Sequence, residues 1–141
     1  MIKKILLPTD GSQYAEKTLK YAIDLAKSVG ASVDVMYAYQ PASLLRKRAA
    51  AMMEEYRHIL EEDAREIVTD VAERLKAEGL TVSAVVVEGP AAEAILRAAD
   101  EMSPDVIVMG SRGDGGFADM LLGGVAEHVV RYSKVPVLVV K

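Results

Sequence analysis

Cysteine and tryptophan are absent from this chain, phenylalanine occurs once and histidine twice. Without cysteine there is no disulfide framework, thiolate nucleophile, zinc ribbon or iron–sulfur cluster. Two histidines rule out a histidine-rich metal site and leave open one His combined with carboxylates. Long apolar runs are missing as well. No window approaches the roughly 18 uninterrupted apolar residues of a membrane span. The apolar run in Met1–Asp10 is too short for a signal-peptide core and is interrupted by Asp10. Positive charge is in short supply: 17 basic residues stand against 21 acidic ones, a formal net charge of −4. A phosphate backbone attracts clustered Lys and Arg, so nucleic acid is not an expected partner, nor is a membrane. A small basic pocket remains open. The expected compartment is the cytoplasm.

The 141 residues that are there suit a single domain, 1–141, with 51% hydrophobic and 27% charged residues. Such a chain buries about 68% of its unfolded surface and needs no covalent staples. Two kinds of apolar pattern alternate along it. Ile2–Pro8 is strand-like and ends at Thr9-Asp10-Gly11. Ser12–Val29 has helical spacing, and Gly30 stops it. Ser32–Tyr39 reads as a strand. A helix opening near Pro41, with a break near its start, reaches Glu78, its apolar residues stepping through Met53, Tyr56, Leu60, Ala64, Ile67, Val71 and Leu75. Thr81–Val87 is a strand, Gly89-Pro90 a turn, Ala92–Met102 a helix and Asp105–Met109 a short apolar strand. A glycine-rich loop over Gly110–Gly116 follows, then a helix over Leu121–Tyr132 and a last strand over Val135–Val140. Strands alternating with helices predict a doubly wound parallel sheet with helices on both faces. Near-continuous apolar strands agree, because such strands are buried on both sides.

In open α/β sheets a ligand sits beyond the carboxyl ends of the strands, where the strand order reverses. Three segments reach that edge with useful chemistry: Thr9-Asp10-Gly11-Ser12, Ala38-Tyr39-Gln40-Pro41, and the glycine loop from Gly110, followed by Gly123-Gly124. Glycines before a helix expose backbone N–H groups to an anion, with a favourable helix dipole. The same glycines also fit a tight loop that binds nothing, and composition does not separate the two. Other motifs are set aside. There is no G-x-x-x-x-G-K-[ST] phosphate loop. Gly113-x-Gly115-x-x-Ala118 imitates a dinucleotide fingerprint but follows the fourth strand, and no acidic residue ends the next one. Ser111, His128 and Asp10 make a catalytic triad on paper only, since His128 falls beside Glu127 within a helix.

Four stretches taken together resemble the universal stress protein family in its small single-domain form. They are Lys4–Ser12, Asp105–Gly113, Leu122–Val130 and Val135–Val140. The resemblance covers essentially the whole chain. It implies a five-stranded parallel sheet of order 3-2-1-4-5 and a homodimer joined through Val135–Val140. Nucleotide-binding members carry G-x2-G-x9-G-[ST], matched here by Gly110, Gly113 and Gly123. The next position departs: Gly124 stands where the family has a hydroxyl that helps hold the phosphates. Losing a hydrogen bond to a charged group costs about 1.5–3 kcal/mol, or roughly ten- to a hundredfold in affinity. Arg112 or the Arg46–Arg48 cluster are candidate compensations.

The same resemblance implies an adenine nucleotide, ATP foremost and AMP or another adenine nucleotide next, with Mg2+ or Mn2+ accompanying the phosphates. Thr9 and Asp10 would then face the ribose or a metal-linked phosphate, a role Asp10 can share with helix capping. Ala38 would offer backbone groups to the adenine. Met109 and Val125 would line the purine pocket or simply pack the core. The edge at Val135–Val140 is apolar and holds Pro136, which suits an edge strand that gains a partner. The expected function is a cytoplasmic stress-response regulator that binds an adenine nucleotide and acts on a protein partner. The alternative is a dimeric interaction module with weakened or lost nucleotide binding, favoured by Gly124. Catalysis is not expected, because no residue stands out to orient water for hydrolysis.

Overall fold

The computed structural model describes residues 1–13, 15–41, 50–112 and 122–141. Nine elements alternate along them: β1 (Lys4–Pro8), α1 (Ala15–Val29), β2 (Ser32–Tyr39), α2 (Ala50–Ala77), β3 (Val82–Glu88), α3 (Ala91–Met102), β4 (Val106–Gly110), α4 (Gly124–Tyr132) and β5 (Val137–Val140). The five strands form one parallel sheet of order β3-β2-β1-β4-β5, the order that the resemblance implied. From β1 the chain winds outward to β2 and β3, then returns to β4 and β5. The order therefore reverses between β1 and β4.

Period-2 alternation sorts the strand residues between two cores. On one face Ile5, Leu7, Val33, Val35, Val106 and Val108 pack beneath α1 and α2. On the other face Leu6, Met36, Ile107 and Met109 pack beneath α3 and α4. Each helix supplies the matching stripe: Leu19, Ala22 and Ala26 from α1, Ala94, Ile95, Ala98 and Ala99 from α3, and Ala126 and Val129 from α4. In α2 the buried stripe is Ala64, Val68, Ala72 and Leu75. Ile67 and Val71, which the apolar spacing placed in the same series, sit further round the helix and line a cavity, Val71 also packing against the core.

Helix ends follow local chemistry. Gly30 takes a φ of +73°, a left-handed conformation that suits glycine, and donates its N–H to the Ala26 carbonyl at 2.8 Å to close α1. Ser103 takes the same role after α3, with φ 51° and a 3.1 Å bond to the Ala99 carbonyl, before Pro104 prevents continuation. Asp105 fastens the start of β1, accepting the N–H groups of Lys3 at 2.7 Å and Lys4 at 3.0 Å. Those two bonds hold its carboxyl below the ordinary aspartate value.

Several boundaries differ from the sequence expectation. The first helix begins at Ala15, because Ser12 serves the turn before it and accepts the Ala15 N–H at 3.1 Å. The last helix begins at Gly124, and the last strand shortens to Val137–Val140. Pro136 still contributes, its carbonyl accepting the Ile107 N–H at 2.9 Å. Burial on both faces holds for β1 and β4 but not for the edge strands β3 and β5, where Ala84 and Leu138 are exposed and most other apolar residues only partly buried. The expected helical start near Pro41 and the Arg46–Arg48 cluster fall mainly or wholly outside the described residues.

Candidate functional site

The sheet opens at the reversal point. Registered pairing of β1 with β4 covers only Ile5↔Val106 and Leu6↔Ile107. The β1–β2 ladder continues to Pro8↔Met36, and the β4–β5 ladder to Gly110↔Val140. Past Leu6 and Ile107 the two central strands therefore part, and a cavity of about 930 Å³ occupies the gap and the space above it. Thr9, Asp10, Ala38, Met109, Gly110, Arg112, Gly123, Gly124 and Val125 all line it. The tenth residue singled out from sequence, Gly113, lies outside the described residues. His128 is not among the lining residues and stacks instead on Tyr132, ring centroids 4.8 Å apart, so the paper triad is not assembled.

The floor is apolar and built from strand ends and two helices, with Leu7, Met36 and Met109 beside Ile95 and Ala126. Ala38 stands at its rim. Its registered neighbour is Val87 of β3, and β1 has ended two residues earlier, so this edge of β2 has no β1 neighbour. Val125 is 40% exposed at the mouth, a wall residue rather than a core one.

Backbone dominates the end nearest the glycines. Gly123 precedes α4 with no side-chain cap, and its N–H reaches the Ser111 carbonyl at 2.6 Å. A β-carbon there would stand 3.1 Å from that carbonyl oxygen, which explains glycine at this position by close approach rather than by dihedral angle. At Gly124 an added β-carbon would meet nothing within 4 Å among the described residues. Nothing in that described surrounding makes the missing hydroxyl at 124 a steric necessity. Asp10 accepts the Ser12 N–H at 2.9 Å and so organises the turn into α1 while lining the cavity. Gly11, at φ +73°, lets that turn pass under Ile67, whose Cδ1 would lie 3.3 Å from a β-carbon.

Sequence reasoning missed three groups of lining residues. The first is Thr18, whose buried hydroxyl oxygen, like that of Ser12 in the segment already singled out, has no hydrogen-bond partner among the described residues; both line the cavity. Orphaned buried hydroxyls are uncommon and often mark functional sites. The second group is the cavity face of α2, where Asp63, Glu66 and Asp70 join Ile67 and Val71. The third is Glu16 with Arg74, a two-pronged pair whose N–O distances are 2.6 and 2.7 Å. The hydrogen bond to Arg74 holds the Glu16 carboxyl below its ordinary value, and the same bond raises Arg74. Spacing gave one usable signal: 63, 66, 67, 70, 71 and 74 fall on one helical stripe. A smaller cavity of about 210 Å³ adjoins the first, sharing Ser111 and Arg112 and adding Gln13, Lys17 and Lys141. Among the described residues no group of three or more His, Asp or Glu could hold a metal ion. No described helix is long and apolar enough to cross a membrane.

A reversal-point cavity in a doubly wound parallel sheet, rimmed by glycines, places the protein among the open α/β folds. The universal stress protein family matches residues 1–141, and the chain belongs to it. It is 34% identical over 141 residues to universal stress protein MJ0531 of Methanocaldococcus jannaschii, covering 100% of this chain and 83% of that one. The solved structure of MJ0577, from the same organism, superposes with a TM-score of 0.90 at 33% identity, covering 100% of this chain and 96% of that one. A universal stress protein solved in complex with cAMP superposes at 0.73 with 30% identity, covering 99% of this chain and 97% of that one.

Proposed function

We propose that this protein is a cytoplasmic regulator that binds an adenine nucleotide in the β1/β4 cavity and passes its occupancy to a protein partner. The observation that carries the reading is the convergence of Thr9, Asp10, Ala38, Met109, Gly110, Arg112, Gly123, Gly124 and Val125 on one cavity at the strand-order reversal. Its volume, about 930 Å³, is of the size that takes a small organic ligand. The cAMP complex of a relative supports the adenine ligand. In this reading the apolar floor takes the base, the β2 edge at Ala38 offers backbone groups to it, and the glycine end meets phosphate with N–H groups. Asp10 faces the ribose. The orphaned Thr18 hydroxyl recovers a partner from ligand or from a shift on binding, which offsets part of its desolvation cost of about 1–3 kcal/mol. A divalent ion would travel with the phosphates, and the protein would release the nucleotide without chemistry.

The test is to denature freshly purified protein and identify released small molecules by mass spectrometry. An adenine nucleotide near one equivalent is the expected result. Release of a different ligand class at that stoichiometry contradicts the reading.

Gly124 favours a second reading, an interaction module whose nucleotide site has weakened. Either reading includes a homodimer. The β5 edge supports it, with Leu138 39% exposed and Val130 and Tyr132 of α4 also exposed beside it. Light scattering should give twice the monomer mass, and a stable monomer at micromolar concentration contradicts the dimer.

A further inference from the structure

Thr18 lies on α1, lines the main cavity and is 3% exposed. Its hydroxyl oxygen has no hydrogen-bond partner among the described residues. A buried hydroxyl left unsatisfied carries its full desolvation cost, and valine would fill the same space without it. Across from Thr18 stands Gly110, the last residue of β4, paired in register with Val140. Its φ is not in the left-handed region, so backbone conformation does not call for glycine there. Close approach does. A β-carbon at Gly110 would stand 3.1 Å from the Thr18 hydroxyl oxygen and 3.3 Å from the Arg112 carbonyl oxygen, with the Arg112 nitrogen at 4.0 Å. An unpaired hydroxyl and an absent side chain thus meet at one notch in the cavity wall.

The notch lies between the two ends of the cavity. Met109, one residue before it, belongs to the apolar floor. Ser111, one residue after it, accepts the Gly123 N–H at the glycine end. A nucleotide with its base on the floor and its phosphate at Gly123 has to bring its sugar past Gly110. The two atoms nearest the notch are oxygens. A phosphate oxygen only accepts and is repelled by the carbonyl, whereas a hydroxyl donates and accepts at once.

We propose that Thr18 is a specificity-determining residue of this cavity, its hydroxyl held unpaired in the free protein and satisfied by a sugar hydroxyl of the bound ligand at the Gly110 notch. The proposal rests on the nucleotide reading of the cavity and adds that α1 reads the ribose rather than the base or the phosphate. Threonine in a helix divides between two χ1 settings, so a turn of the side chain brings the buried oxygen to the ligand. The free protein bears the cost of the unpaired hydroxyl and the ligand removes it. Threonine at 18 therefore lowers stability and raises affinity relative to valine.

Thr18→Val in the full chain tests both halves. Without ligand its melting temperature should rise by about 2–8 °C. In calorimetric titration it should bind AMP about three- to tenfold more weakly than wild type. The 2′,3′-dideoxy analogue of AMP has no sugar hydroxyl to lose, and its affinity should change by less than about twofold. Thr18→Ser keeps the hydroxyl and should retain the wild-type ratio of the two affinities. An unchanged or lower melting temperature for Thr18→Val, or a variant that folds poorly, means that the hydroxyl serves the free fold, and overturns the proposal. Equal losses for AMP and its dideoxy analogue, no loss for either, or a ratio in Thr18→Ser that falls to that of Thr18→Val, overturns it as well. Each of these leaves the nucleotide reading standing. Failure of adenosine, AMP and ATP alike to bind the wild type overturns the nucleotide reading and this proposal with it.

Discussion

The two walls of the cavity are made differently. The strand-end wall is apolar side chain and glycine backbone: Leu7, Met36 and Met109 below, Gly110, Gly123 and Gly124 at one end. Its members are fixed by the sheet and the close approach of Gly123 to Ser111, so they have little freedom to vary. The α2 wall is a helix face carrying Asp63, Glu66 and Asp70, charged and exposed. Nothing in the packing requires those carboxylates, because the buried stripe of α2 runs through Ala64, Val68, Ala72 and Leu75. The contrast separates a wall fixed by packing from one whose polar side chains the packing leaves free to vary.

The largest effect should come from breaking the first wall. Leu7 is 2% exposed and belongs to both the core and the floor. Leu7→Ala should cost about 2–5 kcal/mol in urea unfolding, the usual range for a buried leucine truncation. Next is the addition that the first wall has room for. Gly124→Ser places a β-carbon that meets nothing within 4 Å among the described residues. It should tighten AMP about ten- to a hundredfold, leave adenosine unchanged, and shift stability by less than about 0.5 kcal/mol. Unchanged AMP affinity would refute the phosphate role given to that position. Gly123→Ala adds a β-carbon 3.1 Å from the Ser111 carbonyl, so backbone must shift. About 1–3 kcal/mol of lost stability is expected, together with weaker AMP binding in the same titration.

The smallest effect belongs to the exposed pair on the second wall. Glu16→Gln should cost about 0.2–1 kcal/mol near neutral pH, since solvent screens Glu16 and Arg74. The Glu16 carboxyl titrates below its ordinary value in the folded state, through its bond to Arg74. Its contribution is therefore fully present above the unfolded value near 4.5 and is lost as pH falls through the lower folded value. Melting curves of wild type and Glu16→Gln should accordingly differ at neutral pH and converge in acid.

Much of the strand-end wall was legible in the sequence. Apolar runs ending in Thr9-Asp10-Gly11 and Gly110 located the carboxyl edges of β1 and β4, and alternation of strand and helix gave the reversal point that joins them. Period and turn chemistry carry that information locally. The α2 wall was not legible in the same way. Ile67 and Val71 stood in one apolar series with Ala64 and Leu75, because a period of three and four does not say which flank of the stripe is covered. Asp63, Glu66 and Asp70 carried no motif that set them apart, because which flank of α2 meets the cavity emerges only from packing. The orphaned hydroxyls of Ser12 and Thr18 depend on packing alone. Gly124 stood out as a departure from a motif, but only the structure shows that no described residue would meet a side chain there.

The most direct measurement is thermal denaturation with and without AMP at about a hundred times its dissociation constant. Binding to the native state at that excess adds about 2.7 kcal/mol, or roughly 5–10 °C in Tm for a domain of this size. The account predicts that rise for the wild type and a smaller one for Gly123→Ala. A melting temperature that adenosine, AMP, cAMP and ATP with magnesium all leave unmoved at millimolar concentration would contradict it.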